Sequence, residues 1–275
     1  MLRAMQNLDL VGLRFSSAKP PNPTHLAHGR DRGGALVVDG IDRVGATFTE
    51  RLARGVPRVL AVDVPLGVPA LLATDLAGMA LNGSQVLAAL ASTAPSLVDA
   101  RWAAFAATHP GALRFTDAVT HGAPSITAPR PASWRALGAF ARALATVRDH
   151  VNVLPFDTLA FSPAKPLVVE ALPAAMLRLF GLPYEHHHGA GPEAAAERLA
   201  VLRGLPDAVA ALGLRMELPA PAANLCAQDD GGDALDAVLC LVAAWLGTRG
   251  LWAAPPSSGP FAARVVVEGW IVRPG

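Results

Sequence analysis

Four acidic residues occupy positions at which carboxylates commonly do chemistry in α/β proteins. Asp63 and Glu170 each lie near the end of an almost continuous apolar run, and such runs predict buried strands of a parallel sheet. Asp233 and Asp236 are three positions apart, so they share one face of a predicted helix. Because ligands of open α/β sheets collect at the carboxyl ends of the strands, we expect one pocket to hold all four carboxylates.

Several carboxylates in one pocket repel one another unless a hard cation such as Mg²⁺ or Mn²⁺ binds them. Asp63, Asp233 and Asp236 are therefore candidate metal ligands, and together with Glu170 they are candidate catalytic residues for two-metal cleavage of a phosphodiester. A structural interpretation stays open beside this one. Asp233 would then only start a helix, where a carboxylate favours the dipole, Asp236 would be solvated and Glu170 would be a satisfied carboxylate at a strand end. Asp63 is the hardest of the four to explain structurally.

Three consecutive histidines, His186, His187 and His188, follow Tyr184 in a segment that runs into Gly189. Adjacent imidazoles in a loop suit a transition metal. A solvated loop without a ligand is nevertheless the interpretation that we favour, with a metal site as the alternative.

The segment from Ala100 to Arg148 carries six arginines against one aspartate, with tryptophan and phenylalanine residues between them. Basic and aromatic side chains together are typical of a surface that binds a nucleic-acid backbone. Arg135 and Arg142 are the candidate substrate-binding residues in this segment. A helical layer with its aromatic residues inside and its arginines in solvent is the structural alternative.

Composition limits the class of protein. The 275 residues are 52% hydrophobic and 16% charged, with a formal net charge of +1, which suits a globular domain with a large core. The two cysteines, Cys226 and Cys240, form no disulfide framework or zinc motif. The most apolar stretch, residues 234–247, is shorter than the roughly 20 residues of a bilayer span. We expect a cytoplasmic protein without a membrane segment, and the sequence carries no indication of its oligomeric state.

The predicted strands and helices that position these side chains follow one another as in a mixed α/β protein. An antiparallel meander should come first and parallel strands should follow it. We therefore predict a five-stranded mixed sheet with helices on both faces, in a single domain over residues 1–275 with a helical insertion at about 70–150. The predicted segments are strands at Leu8–Phe15, Thr24–Ala27, Ala35–Ile41, Arg58–Val64 and Leu167–Leu172, a closing strand at Val265–Val272, a helix at Asp233–Leu246 and a turn at Pro219–Ala223.

Five segments follow one another along the chain, namely Val62–Gly67, Val169–Ala175, Gly181–Tyr184, Asp233–Cys240 and Glu268–Ile271. In this order they resemble the domain-of-unknown-function 429 family, a family of predicted nucleases with an RNase H-like fold. The helix that begins Asp233-Ala234-Leu235-Asp236-Ala237 is also similar to the catalytic helix of RuvC-type resolvases. The resemblance implies an RNase H-like fold and a metal-dependent nuclease that uses Mg²⁺ or Mn²⁺.

One position departs from the family's pattern. The family opens with a strand of the form Gly-Ile-Asp-Phe-Ser-Gly-Ala, whose acid is the central metal ligand, whereas this chain has Arg14 between Leu13 and Phe15. A guanidinium does not ligate a metal and would repel one. Strand alternation places Arg14 on the same face as Gly12, inside the sheet layers, where an arginine needs a charge partner. We expect Arg14 to pair with at least one of the predicted metal ligands and to take the place of the missing cation.

Two functions from different classes therefore stay open. The first is a metal-dependent nuclease, which Arg14 would leave inactive or weakly active. The second is a catalytically dead RNase H-like domain that binds nucleic acid or protein. A phosphotransferase of the actin and hexokinase type is a third candidate, but the Gly-rich phosphate turn expected after its first strand is missing.

Overall fold

The structure is a computed structural model that describes residues 9–16, 24–44, 48–55, 57–77, 82–120, 131–157 and 162–275. Within these ranges the chain forms eight strands and eleven α-helices. The strands are β1 (Asp9–Arg14), β2 (Thr24–Arg32), β3 (Ala35–Val44), β4 (Val59–Val62), β5 (Asn152–Val153), β6 (Leu167–Ala171), β7 (Arg215–Glu217) and β8 (Ile271–Val272). The helices are α1 (Phe48–Ala53), α2 (Ala70–Ala77), α3 (Gly83–Ser92), α4 (Pro95–Thr108), α5 (Phe115–Val119), α6 (Pro131–Ala145), α7 (Pro173–Leu179), α8 (Pro192–Ala210), α9 (Ala220–Gln228), α10 (Asp233–Thr248) and α11 (Gly259–Glu268).

The strands form one mixed sheet in the order β5-β6-β4-β1-β2-β3-β7, with β8 pairing with β6. The first three strands are an antiparallel meander, while β4 runs parallel to both β1 and β6. The predicted mixed α/β sheet is therefore confirmed, and β6, β4 and β1 are adjacent in it. The sheet has eight strands rather than five because β5, β7 and β8 are too short to give a periodic signal in the sequence.

Helices cover both faces of the sheet, as predicted. One core lies on the side of α10 and includes Leu10 of β1 and Ala61 of β4. The other lies under α1, α3, α4 and α6 and includes Leu13 and Val62. Alternate residues of each strand thus belong to opposite cores, which fixes the face on which each candidate site residue lies.

The segment Val265–Val272 was predicted as a closing strand, and that prediction is wrong. Most of it lies in α11, and only the two residues of β8 are extended. Val265 and Glu268 lie one helical turn apart and are both buried, and Arg264 pairs with Glu268 at 2.9 Å. Tertiary packing of this face outweighs the strand preference of three consecutive valines. Gly269, at a φ of 86°, ends the helix.

The segment Pro219–Ala223 was predicted as a turn, but the helix α9 begins in it. Pro219 lies just before the helix and Pro221 in its first turn, where a proline removes no helical hydrogen bond. Leu8, at the start of the first predicted strand, lies outside the described residues.

Helix α10 approaches β1 very closely because Gly12 has no side chain. A Cβ at this position would overlap backbone atoms of Ala237 and Leu241 in α10. The helix is buried over almost its whole length, from Ala234 to Thr248, which explains why it is apolar on every face. Its first turn is therefore held against the carboxyl end of β1. None of the helices in the described part of the chain has both the length and the apolar character needed to cross a membrane.

Candidate functional site

Three elements bring their ends together on the α10 side of the sheet. Arg14 is the last residue of β1, and Asp63 directly follows β4. The amide of Asp63 donates to the carbonyl of Leu13 at 2.9 Å, which extends the pairing of the two strands by one residue. Asp233 and Asp236 lie in the first turn of α10. The i, i+3 spacing and the strand alternation therefore place all four side chains at one point.

Arg14 binds the three carboxylates directly. Its Nη1 donates to Oδ2 of Asp63 at 2.6 Å, and its Nε donates to Oδ1 of Asp233 at 2.9 Å. Oδ2 of Asp236 lies 3.5 Å from the same Nε. The Arg14 side chain is 32% exposed, and those of Asp63, Asp233 and Asp236 are 15%, 17% and 3% exposed. The expected pairing of Arg14 with these acids is thus present in the structure.

The charges of this cluster, which we call the Arg14 centre (Arg14, Asp63, Asp233 and Asp236), perturb one another strongly. Burial raises the pKa of Asp63 to about 6, with the charge of Asp236 adding to the rise and that of Arg14 opposing it. Burial alone would lower the pKa of Arg14, but the charges of Asp63, Asp236 and Asp233 hold it above its ordinary value. The guanidinium therefore stays charged and offsets the repulsion among the acids.

Glu170 is not part of this centre. Val168 lies in one core and Val169 in the other, so alternation turns Glu170 toward the side of the sheet away from α10. Its carboxylate accepts from Nη1 and Nη2 of Arg114 at 2.8 and 2.6 Å, and from the amide of Leu66 at 2.8 Å. Burial raises the pKa of Glu170, while the charge of Arg114 lowers it.

Arg114 is the centre of a second buried ion cluster that the sequence did not reveal. Its side chain is completely buried and also binds Asp117, with Nη2 2.7 Å from Oδ1. Together with Glu170 this gives two carboxylates, each at most 3% exposed, around one guanidinium. The cluster joins β6 to the start of α5, and its groups are satisfied by one another, as in a structural site.

The histidines after Tyr184 contact the Arg14 centre through Asp236. His187 is 2% exposed, and its Nε2 lies 3.0 Å from Oδ1 of Asp236. The side chain of His188 is 47% exposed, and its Nε2 lies 3.5 Å from Oδ2 of the same residue. His186 is exposed beside Glu185. The solvated-loop interpretation therefore does not hold for His187, whose partner lies 49 positions away in the sequence. Among the residues that the structure describes, His187, His188 and Asp236 form a group able to hold a metal ion.

The arginine-rich segment lies mostly in α4 and α6, which cover the face of the sheet opposite α10. Four of its five aromatic side chains, Trp102, Phe105, Trp134 and Phe140, are buried in the second core, whereas Phe115 is partly buried against the first core. Arg135 is exposed and lies 3.3 Å from Asp99, whereas Arg142 is only partly exposed. Arg130 lies outside the described residues.

The Arg14 centre does not fit a hard divalent cation as it stands. A Mg²⁺ or Mn²⁺ ion would need the oxygens of Asp63 and Asp233 at about 2.0–2.2 Å, but the guanidinium of Arg14 already donates hydrogen bonds to both. The geometry defines an α/β domain in which an arginine takes the central place among converging carboxylates.

A family model described as "Protein of unknown function (DUF429)" matches residues 22–258 of this domain. The chain belongs to this family. Neither a curated protein nor a solved structure matches it.

Proposed function

We propose that this chain is an RNase H-like domain that no longer cleaves phosphodiesters and acts instead as a binding module, with nucleic acid as its first candidate partner. One observation carries the proposal, namely the hydrogen bonds from Arg14 to both Asp63 and Asp233. A fixed positive charge of this kind neutralises the acids without providing a Lewis acid or activating a water molecule. The mixed strand order and the convergence of Asp63, Asp233 and Asp236 at one point support an origin as a metal-dependent nuclease.

Active nuclease chemistry is the second candidate, favoured by the convergence of Asp63, Asp233 and Asp236 at one point. In that case Mg²⁺ or Mn²⁺ would bind between these carboxylates and supply the activated water. The guanidinium of Arg14 would first have to break its hydrogen bonds to Asp63 and Asp233. The cost of that rearrangement is the reason we rank hydrolysis second.

The nucleic-acid surface would lie on α6, with Arg135 and Arg142 as phosphate contacts. Each phosphate contact releases counterions, so the affinity should fall steeply with salt, and the loss of one contact should lower the slope of log K against log salt by about 1. We expect Arg135→Ala and Arg142→Ala to weaken binding of labelled DNA or RNA and to reduce this slope. Arg203→Ala is a matched control, because Arg203 is an exposed arginine of α8, on the other face of the sheet.

The same incubations, made with Mg²⁺ or Mn²⁺, measure hydrolysis. We expect wild-type protein to cleave no more DNA or RNA than the Asp63→Asn variant does. Cleavage above that level would contradict the proposed loss of activity. Absence of binding at low salt would contradict nucleic acid as the partner and leave a protein partner for the module.

We further propose that the protein works in the cytoplasm. Cys226 and Cys240 are both free and buried, which agrees with a reducing compartment.

A further inference from the structure

The imidazoles of His187 and His188 converge on the carboxylate of Asp236. The Nε2 atoms lie 3.0 and 3.5 Å from its two oxygens, and the three ligand atoms of the group lie within 4.8 Å of one another. Ligands around a tetrahedral ion with bonds of about 2.0–2.1 Å are separated by roughly 3.3 Å. We propose that His187, His188 and Asp236 form a binding site for a transition-metal ion of the Zn²⁺ class.

The outer nitrogens of both rings face oxygen acceptors, at hydrogen-bond distance for His188 and further away for His187. Nδ1 of His188 lies 2.6 Å from the carbonyl oxygen of Gly231, which can only accept, so this nitrogen carries a proton and Nε2 is the nitrogen that faces Asp236. Nδ1 of His187 is buried and has no hydrogen-bond partner among the residues that the structure describes, and Oε1 of Glu197 lies 4.0 Å from it. Metal-binding histidines usually direct their second nitrogen at a carbonyl or a carboxylate in this way, because the contact fixes the tautomer and the ring orientation.

His187 lies between two carboxylates, with its Nε2 toward Asp236 and its Nδ1 toward Glu197. A neutral ring with its proton on Nε2, toward Asp236, would turn the lone pair of the buried Nδ1 toward the carboxylate of Glu197. A metal on Nε2 moves the ring proton to Nδ1, where it faces Glu197. Glu197 is held in place because its Oε1 accepts from the amide of His186 at 2.9 Å.

Hydrogen bonds fix the loop that carries the two histidines to the rest of the fold. The buried guanidinium of Arg198 donates from Nη1 to the carbonyl oxygens of His187 and Gly189, both at 2.9 Å. Gly189 in turn donates to the carbonyl of Asp230 at 2.7 Å, next to the start of α10. Both ligand-bearing segments are therefore fixed before a metal binds, which reduces the entropy lost on binding.

The ligand set selects the class of metal. Two imidazoles and one carboxylate suit Zn²⁺, Co²⁺ and Ni²⁺ better than Mg²⁺, which prefers oxygen ligands alone. Three protein ligands leave a fourth position open, as catalytic zinc sites do. The 47% exposure of the His188 side chain gives that position access to water.

This site goes beyond the proposed function and does not depend on it. It shares Asp236 with the Arg14 centre, but its other two ligands come from the loop before α8. The hard cations Mg²⁺ and Mn²⁺ test the Arg14 centre, while Zn²⁺ and Co²⁺ test the histidine site. The failure of either inference can therefore be distinguished from the failure of the other.

The test is a titration of tag-free, metal-free protein with Zn²⁺ and with Co²⁺. We expect one ion per chain, a rise in the melting temperature, and for Co²⁺ a visible absorption band of low-symmetry coordination. Since His188 is half exposed, His188→Ala should fold normally and weaken Zn²⁺ affinity by at least about 100-fold. Glu197→Gln should weaken it about 10-fold, the lower end of the effect of losing an outer partner of a ligand.

His186→Ala is the matched control, because His186 is the neighbouring histidine but is turned to solvent. We expect it to bind Zn²⁺ as the wild type does. The proposal is overturned if the wild type binds no Zn²⁺ at micromolar concentrations, if His188→Ala binds as tightly as the wild type, or if His186→Ala weakens binding as much as His188→Ala.

Discussion

Replacement of Arg114 with alanine is expected to lower the free energy of unfolding by about 3–5 kcal/mol, the usual cost of removing one partner of a buried ion pair. The guanidinium is fully buried and binds Glu170 at 2.6 Å and Asp117 at 2.7 Å. Both carboxylates are almost inaccessible to water, so they would be left as unpaired buried charges. Chemical denaturation of wild type and variant measures the difference.

Arg135→Ala is the control for this measurement. Arg135 also pairs with an acid, Asp99, but its side chain is 63% exposed. Exposed pairs contribute little, so we expect a change of less than about 1 kcal/mol. A loss for Arg114→Ala as small as that for Arg135→Ala would contradict the account of the second ion cluster.

Replacement of Arg14 with alanine should also destabilise the protein, by about 3 kcal/mol. Its removal leaves Asp63, Asp233 and Asp236 to repel one another, and the Asp236 side chain is only 3% exposed. We expect the lower end of the usual range of 3–5 kcal/mol, because the Arg14 side chain is itself 32% exposed and water can reach the vacated space.

Arg14→Lys separates the charge from its geometry. An ammonium keeps the positive charge but lacks the fixed planar geometry with which Nε and Nη1 donate to two carboxylates. The free energy of unfolding of Arg14→Lys should therefore lie between those of wild type and Arg14→Ala. Equal stabilities for wild type and Arg14→Ala would mean that the three acids do not depend on the guanidinium.

The grouping of Arg14 with Asp233 and Asp236 was predictable because it depends on local periodicities. Strand alternation places Arg14 and Gly12 on one face, and the helical spacing of Asp233 and Asp236 turns both toward that face. A strand without a side chain at Gly12 allows α10 to pack directly on β1. These rules need only the order of residues in each segment, whereas Asp63 joins the centre through the register that pairs Val62 with Leu13.

Glu170 was misplaced because its position depends on the register between two segments distant in the sequence. The register pairs Glu170 with Val62, one residue before Asp63. A difference of one residue moves a side chain to the opposite face of a sheet, so the two acids cannot share a pocket on the α10 side. No local pattern specifies this register.

The burial of His187 was likewise hidden from the sequence. Its environment is formed by Asp236, Glu197 and the guanidinium of Arg198, which come from two later helices. Three adjacent histidines looked alike in the sequence, and only the tertiary structure distinguishes the exposed His186 from the buried His187.

The most direct test of whether Arg14 takes the place of a hard cation is the effect of Mg²⁺ on the melting temperature of wild-type protein and of Arg14→Asp. Mg²⁺ is a better probe than a transition metal because it binds imidazoles poorly and should not occupy the site at His187 and His188. Arg14→Asp should be destabilised without metal, since four carboxylates would then converge. Millimolar Mg²⁺ should stabilise the variant again. At a Mg²⁺ concentration one hundred times the dissociation constant, its free energy of unfolding should rise by about 2.7 kcal/mol, while that of the wild type should not change. A wild-type protein stabilised by Mg²⁺ as strongly as the variant, or a variant that Mg²⁺ does not stabilise, would contradict the claim.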